Sequence, residues 1–202
     1  AVRALMQELD AGLKRTLLGE KTRGATESAI GPTAAALWAA DHRAYDPAVS
    51  SDHVSEGKLV ADYTALKAGA TIPFEGTEHS LVTIGKPCLD DVRARRYEAQ
   101  KARWGWFAEH AAQLDSIYDE LVSLRVKQAN TLGLADYTEL GYLRMQRVDY
   151  ARHDVERFRR QVQEQIVPLV GRLQARQAAR LGLDKLMFWD EPIGDCEGNP
   201  KL

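Results

Sequence analysis

Residues 114–124 read Leu-Asp-Ser-Ile-Tyr-Asp-Glu-Leu-Val-Ser-Leu, and this stretch decides the fold class. Its apolar residues recur every three or four positions, the repeat of one face of an α-helix. Asp90 and Asp91 suit a helix N-terminus, where negative charge meets the positive end of the helix dipole. We therefore predict one long helix over residues 89–131, in which Gly105 marks a bend or a close helix contact. Its inner stripe comprises Phe107, Leu114, Ile117, Leu121, Leu124 and Gln128.

Helical periodicity also extends outward from this stretch to both ends of the chain. It predicts helices over residues 1–18, 27–44, 135–144 and 151–181. Pro32 lies near the start of the second, Pro168 is expected to kink the last, and Gly133 and Gly182 are expected to end helices. The first helix has the apolar face Val2, Leu5, Met6, Leu9, Leu13 and Leu17. The last is expected to bury Val155, Phe158, Val162, Ile166, Leu169 and Leu173.

The remaining segments predict one hairpin and two irregular regions. Thr71–Phe74 and Ser80–Ile84 are rich in β-branched residues and are separated by Glu75-Gly76-Thr77-Glu78, which is typical of a β-hairpin. Pro73 cannot donate a backbone hydrogen bond, so it favours an edge strand. Residues 46–57 are expected to form a loop or a short helix, and residues 190–202 an irregular tail. The fold class is therefore mainly α, a bundle of long helices with one small hairpin.

Composition excludes several classes of protein. The chain has 202 residues, of which 45% are hydrophobic and 28% charged, with a formal net charge of −2. These values exclude wholesale disorder and give no general attraction to nucleic acid or membranes. No apolar run reaches the ~18 residues of a membrane helix, and no signal peptide is visible. The first residue is Ala1 and not Met, so we expect the chain to be a fragment.

Motifs of metal, thiol and nucleotide chemistry are absent from the sequence. None of the five histidines begins a His-Glu-x-x-His motif, so we expect no metal ligand in this chain. Cys88 and Cys196 are 108 residues apart and are expected to be buried or incidental thiols. Phosphate-binding glycine motifs and Gly-x-Ser-x-Gly are also missing. The histidines, expected at the surface or at helix ends, are His42, His53, His79, His110 and His153.

Residues 144–180 are rich in arginine. They hold nine Arg against four acidic residues, a local excess of +5. This pattern fits a phosphate-binding face, but it also fits the solvated basic side of a long helix. The second interpretation is favoured because the arginines are spread over several turns and mixed with acids.

The most promising candidate site is the junction between two predicted helices, residues 141–150. An Arg at such a junction can bind a carboxylate through two hydrogen bonds, and a Tyr can donate another. The structural alternative is an Arg–Asp pair that joins the helices, with Tyr packed between them. The candidate substrate-channel residues are Tyr142, Arg144, Arg147 and Tyr150.

Several stretches resemble the M3 family of zinc metallopeptidases, in its oligoendopeptidase F branch. The resemblance covers residues 61–202, which look like the upstream part of such a peptidase domain. Residues 1–60 match poorly and are taken as an N-terminal helical region. The stretches that carry the resemblance are Ile72–Gly76, Leu114–Val122, Leu132–Tyr137, Gly141–Met145, Arg147–Tyr150, Ile166–Leu169, Leu181–Leu186 and Gly198–Pro200.

The resemblance implies a cytoplasmic hydrolase that cleaves short peptides in a channel between two helical halves. In that family, a helix with the motif His-Glu-x-x-His supplies zinc ligands and the catalytic Glu, and a third zinc ligand follows; both lie further toward the C-terminus. No residue of this chain matches any of these positions. The chain is thus expected to form a channel wall, to bind no zinc and to be inactive alone. Its expected partners are an oligopeptide substrate and a C-terminal catalytic half, not nucleic acid or membrane.

Two other hypotheses remain open from the sequence. One is a free-standing helical binding protein that kept the scaffold and lost the chemistry, which predicts a closed core with few exposed apolar patches. The other is a helical nucleic-acid-binding protein that uses the arginine-rich face, which predicts steeply salt-dependent binding. The peptidase fragment predicts exposed apolar helix faces, because its partner half is missing.

Overall fold

The chain folds mainly into α-helices with a small hairpin, as predicted. The computed structural model describes residues 2–194, apart from the side chains of residues 2–4 and 7. Cys196, the tail beyond residue 194 and the side chain of Val2 therefore lie outside the described residues. The strands are β1 (Ile72–Phe74) and β2 (Thr77–His79). The helices are α1 (Val2–Leu17), α2 (Arg23–Ile30), α3 (Pro32–Arg43), α4 (Ser50–Ala68), α5 (Arg93–Glu109), α6 (Ala111–Thr131), α7 (Tyr137–Arg144), α8 (Arg152–Gln161) and α9 (Val167–Arg180).

Two compact units make up the chain. The first unit combines Ala1–Asp62 with Ser116–Arg152, and the second combines Tyr63–Asp115 with His153–Leu202. The expected division into residues 1–60 and 61–202 stays a prediction. Each unit has its own apolar core. That of the first is built on Ala44, Ala129 and Leu140, and that of the second on Ala70, Ile72, Ile84, Cys88, Ala99 and Trp106.

The predicted helix over residues 27–44 is wrong, because the chain forms two helices there. Gly31 separates α2 from α3 with a φ of 84°, which is outside the helical range. Pro32 is the first residue of α3, where its missing N–H costs nothing. Proline also disfavours helical backbone at the residue before it. The proline signal was therefore correct, but it marks a new helix and not the first turn of a longer one.

Helix α4 was not predicted, since residues 46–57 were expected to be a loop or a short helix. Asp46 instead caps a 3₁₀ turn at Pro47–Val49 by accepting a hydrogen bond from the backbone N–H of Ala48, at 2.9 Å. The turn leads directly into the 19 residues of α4. The first half of α4 has few apolar residues, so its sequence shows little helical periodicity.

The hairpin forms with a shifted second strand. Ile72 pairs with His79 and Phe74 with Thr77, so the turn is the dipeptide Glu75-Gly76. Both turn residues have positive φ, 49° and 75°, as a tight hairpin turn requires. The predicted strand Ser80–Ile84 is wrong.

Side-chain hydrogen bonds explain the absence of that strand. The N–H of Ser80 donates to Oγ1 of Thr83, and the N–H of Thr83 donates to Oγ of Ser80. These bonds fold the segment into a 3₁₀ turn at Thr83–Gly85. Pro73 lies on an edge, as predicted, since each strand of this two-stranded sheet is an edge.

The predicted helix over residues 89–131 is also divided in two. The break is at His110, with φ −101° and ψ 10°, while Gly105 lies inside α5. The His110 ring stacks on Trp106 at 4.3 Å between centroids, and its Nδ1 lies 2.8 Å from the Trp106 carbonyl oxygen. This side-chain contact competes for the backbone acceptor at the end of α5. Gly133 ends α6 with a φ of 69°, as predicted.

The predicted helix over residues 151–181 consists of α8, a π-helical turn and α9. The π turn spans Val162–Ile166, and Pro168 lies in the first turn of α9. Because proline lacks an N–H, a helix that passes through it loses a hydrogen bond, and the wider turn absorbs this loss. Gly182 ends α9 with a φ of 66°, as predicted.

The predicted burial of the inner face of the last helix is wrong. Most of its apolar residues are exposed: Phe158 by 64%, Ile166 by 48%, Leu169 by 41% and Leu173 by 52%. The helical periodicity of α1 is confirmed, yet its apolar face is exposed too. That face exposes Leu5, Met6, Leu9 and Leu13 by 58–62%.

The irregular segment after α9 is anchored within the second unit. Asp190 is fully buried and accepts hydrogen bonds from Arg93 and Arg96, at 2.8–3.0 Å. Burial opposes ionisation of this carboxyl, but hydrogen bonds from Arg93, the Met187 N–H and Arg96 outweigh it and lower the pKa of Asp190. The irregular conformation is confirmed for residues 190–194.

Candidate functional site

The candidate junction begins where α7 ends. Asp136 caps the start of α7 by accepting the N–H of Glu139 at 3.0 Å. At the other end, the N–H of Arg147 donates to the Tyr142 carbonyl and the N–H of Gln146 donates to the Leu143 carbonyl. This pair of bonds is the Schellman helix end, which requires left-handed backbone at one residue.

Gln146 is the residue that adopts the left-handed conformation, with a φ of 54°. The same helix end holds glycine at Gly133 and Gly182. A side chain in this conformation costs roughly 1–2 kcal/mol relative to glycine. Part of this cost is offset because Nε2 of Gln146 donates to Oδ1 of Asp41, at 3.1 Å. The junction therefore keeps a strained residue where its two counterparts use glycine.

Arg147 is held by two tyrosine rings. The central carbon of its guanidinium group lies 4.6 Å from the Tyr142 ring centroid and 5.5 Å from the Tyr150 ring centroid. The two rings are 6.5 Å apart at 61°. In residues 2–194 the Arg147 side chain forms no hydrogen bond or ion pair, although it is half-buried. The structure thus brings together three of the four predicted residues, and we call them the Tyr–Arg–Tyr stack.

Arg144 lies in a different environment. It donates from Nη1 to Oε2 of Glu56 at 3.1 Å, and its Nη2 lies 3.2 Å from Nε2 of His53. Glu56 also accepts hydrogen bonds from Arg125 at 2.7 Å and from Gln128 at 3.2 Å. Gln128 is fully buried, and the Glu56 side chain is 13% exposed. Arg144 therefore belongs to a polar network inside the first unit.

The Glu56 carboxylate is ionised at neutral pH despite its burial. Burial opposes ionisation, but hydrogen bonds from Arg125 and Gln128 and the charge of Arg144 outweigh it and lower the pKa of Glu56. The network is thus one anion shared by two cations. This arrangement holds α4 against α6 and α7 within the first unit.

A polar cavity of 290 Å³ lies beside this network, with Arg144 in its wall. Lys14 also lines it and forms ion pairs with Asp10 and Asp41, each at 2.7 Å. Tyr45 and His53 contribute rings 5.7 Å apart. These residues were not predicted as a group, since they come from four separate segments and share no motif. No signal in the sequence would have found them.

Metal ligands are not grouped in the described structure. Across residues 2–194, no group of three or more His, Cys, Asp or Glu side chains could hold a metal ion. The residues present therefore do not fit a catalytic zinc ion. Cys88 is buried, as expected, and burial raises the pKa of its thiol. Among the helices of the described part, none has the length and apolar character needed to cross a bilayer.

The second unit has an apolar groove of its own. It has a volume of 340 Å³ and is lined mainly by aromatic rings. Tyr97 and Trp189 lie 4.9 Å apart, and Trp104 and Phe188 are more than half exposed. The non-aromatic residues of its lining are Gln100 and Lys101.

Solved structures match almost the whole chain. An oligoendopeptidase F assigned in Bacillus anthracis str. Ames is 37% identical, with a TM-score of 0.91. A second oligoendopeptidase F, solved at 3.1 Å, is 36% identical with a TM-score of 0.93. PZ peptidase A, solved with an inhibitor, is 37% identical with a TM-score of 0.94. No protein-family model and no curated protein sequence matches the chain.

These matches cover a much larger share of this chain than of the solved structures. Each covers 98% of this chain but only 35–36% of the solved structure. The chain thus spans about a third of the peptidases it resembles. Because each match covers 98% of the chain, it includes most of residues 1–60. The weaker resemblance expected for residues 1–60 stays a prediction.

Proposed function

We propose that this chain is part of a zinc-dependent oligoendopeptidase of the M3 family and forms one wall of its substrate channel. The observation that carries the proposal is 36–37% identity to peptidase structures over 98% of the chain, at TM-scores of 0.91–0.94. The substrates would be short peptides and the compartment the cytoplasm. The remaining two thirds of the peptidase would supply the zinc site.

Exposed apolar helix faces support the assignment to a larger assembly. On α1 and on α8–α9, rows of Leu, Ile and Phe side chains are 41–64% exposed. Isolated domains rarely leave such continuous apolar surface in water. A free-standing binding protein would be expected to close these faces, so this alternative is disfavoured. The faces are where we expect the rest of the peptidase to pack.

The chemistry of hydrolysis is not assigned to this chain. A zinc ion in the whole enzyme would polarise the scissile carbonyl and activate water. The described residues do not fit such an ion, so no proton transfer or bond-breaking step is derived from them. The role of the chain would be to bind and orient the peptide.

Complementation tests the proposal. The chain would be mixed with a separately expressed C-terminal part of the same peptidase, and cleavage of a quenched fluorescent octapeptide measured with zinc and with a chelator. We expect zinc-dependent cleavage by the mixture only. An inactive mixture would overturn the proposal, and zinc-dependent cleavage by the chain alone would overturn the placement of the zinc site.

A matched pair of variants shows whether the exposed faces bind the other part. Leu173→Asn places a polar group on the apolar face of α9, whereas Arg172→Asn changes the neighbouring exposed residue. We expect Leu173→Asn to reduce the activity of the mixture and Arg172→Asn to leave it unchanged. Equal effects of the two substitutions would contradict the packing of this face against the rest of the enzyme.

A further inference from the structure

We infer that the Tyr–Arg–Tyr stack is a receptor for a carboxylate group of a bound peptide, with Arg147 as the binding residue. This inference rests on the proposed peptidase function, because it names the part of the substrate that the junction would recognise. It is more specific than the role of a channel wall, because it assigns ligand binding to Arg147 and not to Arg144.

The first argument is the state of the Arg147 guanidinium group. Two tyrosine rings contact it through their faces, at 4.6 Å and 5.5 Å, and its N–H groups have no hydrogen-bond partner within residues 2–194. An arginine that serves only to join helices would be paired with an acid. Asp149, two residues along, forms no ion pair with it, nor does any other acid in the described part of the chain.

The second argument is the hydrogen-bonding capacity around this cation. The hydroxyl groups of Tyr142 and Tyr150 form no hydrogen bond within residues 2–194. Each hydroxyl group is a donor on a ring that contacts a cation with five N–H donors in a planar fork. This set matches the two oxygens of a carboxylate.

The third argument is that the site offers one positive charge. The other arginine of the junction, Arg144, is already paired with Glu56 at 3.1 Å. A phosphate group usually draws on several cations or on backbone N–H groups. A single guanidinium group between two rings fits a ligand with one negative charge. In a peptide, such groups are the C-terminal carboxylate and the side chains of Asp and Glu.

The fourth argument is the strained turn that places Arg147. Gln146 keeps a φ of 54° where the other two helix ends of this type use Gly133 and Gly182. Left-handed non-glycine residues often occur at ligand-binding positions, where the surrounding contacts maintain the strain. Here the bond from Gln146 to Asp41 ties the turn to α3 and fixes the direction in which Arg147 leaves it.

Three N-acetylated, dye-labelled octapeptides test the inference by fluorescence anisotropy on the 202-residue chain. One has a free C-terminal carboxylate and no acidic side chain, one is amidated and neutral, and one is amidated with a single Glu. We expect at least one carboxylate peptide to bind about tenfold more tightly than the neutral peptide, since hydrogen bonds to charged groups are stronger than those between neutral groups. Which of the two gains identifies the source of the carboxylate.

Variants then assign the preference to the stack. Arg147→Gln should abolish it, whereas Arg159→Gln removes an exposed arginine of α8 and should preserve it. Tyr150→Phe keeps the ring and should retain most of the preference, and Tyr150→Ala should reduce it. Thermal unfolding checks that each variant is folded.

Equal binding of all three peptides would overturn the inference, and so would a preference that survives Arg147→Gln. A complete lack of binding would also overturn it for this chain. None of these results bears on the proposed function, which is decided by the activity of the complemented peptidase. An active mixture that shows no carboxylate preference would separate the two conclusions.

Discussion

Arg144 and Arg147 lie three residues apart in one short segment, yet the structure gives them opposite environments. Arg144 is in the last turn of α7 and donates to Glu56 inside a polar network. Arg147 follows the left-handed residue Gln146, packs on two tyrosine rings and is paired with no acid among the described residues. The comparison shows that two arginines of one motif can differ in their partners, since one is paired with an acid and the other packs on aromatic rings.

The two arginines also differ in whether their removal would leave an acidic side chain without a partner. Loss of Arg144 would remove one of the two cations that neutralise Glu56, whose side chain is 13% exposed. Loss of Arg147 would strand no acid in the described part of the chain. We therefore expect substitutions in the Glu56 network to affect stability and substitutions in the Tyr–Arg–Tyr stack to affect binding.

The largest effect is expected for Glu56→Gln. This substitution leaves the Arg125 and Arg144 cations close together without their anion, and breaking a buried pair in this way costs about 3 kcal/mol. The free energy of unfolding, measured in urea, should fall by this amount. Glu27→Gln is the control, because its pair with Arg23 is exposed and worth less than about 1 kcal/mol. Equal losses in the two variants would contradict the structural role of the network.

The pH dependence of stability also tests the structural role of the Glu56 network. The pKa of Glu56 is lower in the folded chain than its ordinary value of 4.5, so folding favours the ionised form. The stabilisation is complete above pH 4.5 and is lost as the pH falls through the lowered value. Urea unfolding from pH 6 to pH 3 should therefore show a smaller loss of stability in Glu56→Gln than in the wild type. Parallel curves would show that Glu56 is not the group that titrates.

A smaller effect is expected at the helix ends that resemble the one before Arg147. Gly133→Ala forces a side chain into left-handed backbone and should cost about 1 kcal/mol, with no clash to add, since no atom lies within 4 Å of the new Cβ. Gln146→Gly should change stability by less than about 1 kcal/mol, because relief of strain is offset by the greater flexibility of the unfolded chain. Thermal unfolding measures both. A neutral Gly133→Ala would remove the argument that Gln146 is strained.

The smallest effect on stability is expected for Arg147→Gln. The substitution removes a cation–π contact on a partly exposed surface, worth about 0.5–1 kcal/mol, and strands no charge. Unfolding in urea should differ little from the wild type, in contrast to Arg144→Gln. A loss as large as that of Arg144→Gln would make Arg147 a structural residue and remove the basis of the comparison.

Local sequence rules recovered most of the helices but misplaced several boundaries. Periodicity identified α1 and α7, and glycine signals identified the ends of α6 and α9 at Gly133 and Gly182. The break at His110 was missed because a continuous apolar repeat does not reveal where a side chain contacts a backbone acceptor. The break at Gly31 was missed because Pro32 was interpreted as part of the first turn of a longer helix. Helix α4 was missed because its first half carries little apolar repeat.

The candidate site was recovered in part for a related reason. The four residues Tyr142, Arg144, Arg147 and Tyr150 were found as one motif, since their types and spacing are visible in the chain. The sequence did not show that Arg144 belongs to the Glu56 network while the other three form the Tyr–Arg–Tyr stack, because Glu56 and His53 lie about 90 residues away from Arg144. Long-range charge pairing leaves no local pattern.

The helical class and the presence of a hairpin follow from the order of residues alone, because backbone preferences and apolar repeats act over a few positions. The resemblance to peptidases rests on particular stretches of sequence, such as Leu114–Val122. Burial was decided only by the folded chain. The apolar faces of α1 and α9 have the repeat of core helices, yet they remain exposed in the described structure. An apolar repeat indicates which face of a helix is apolar. Whether that face is buried, and which charged side chains pair, depends on the neighbouring elements of the fold.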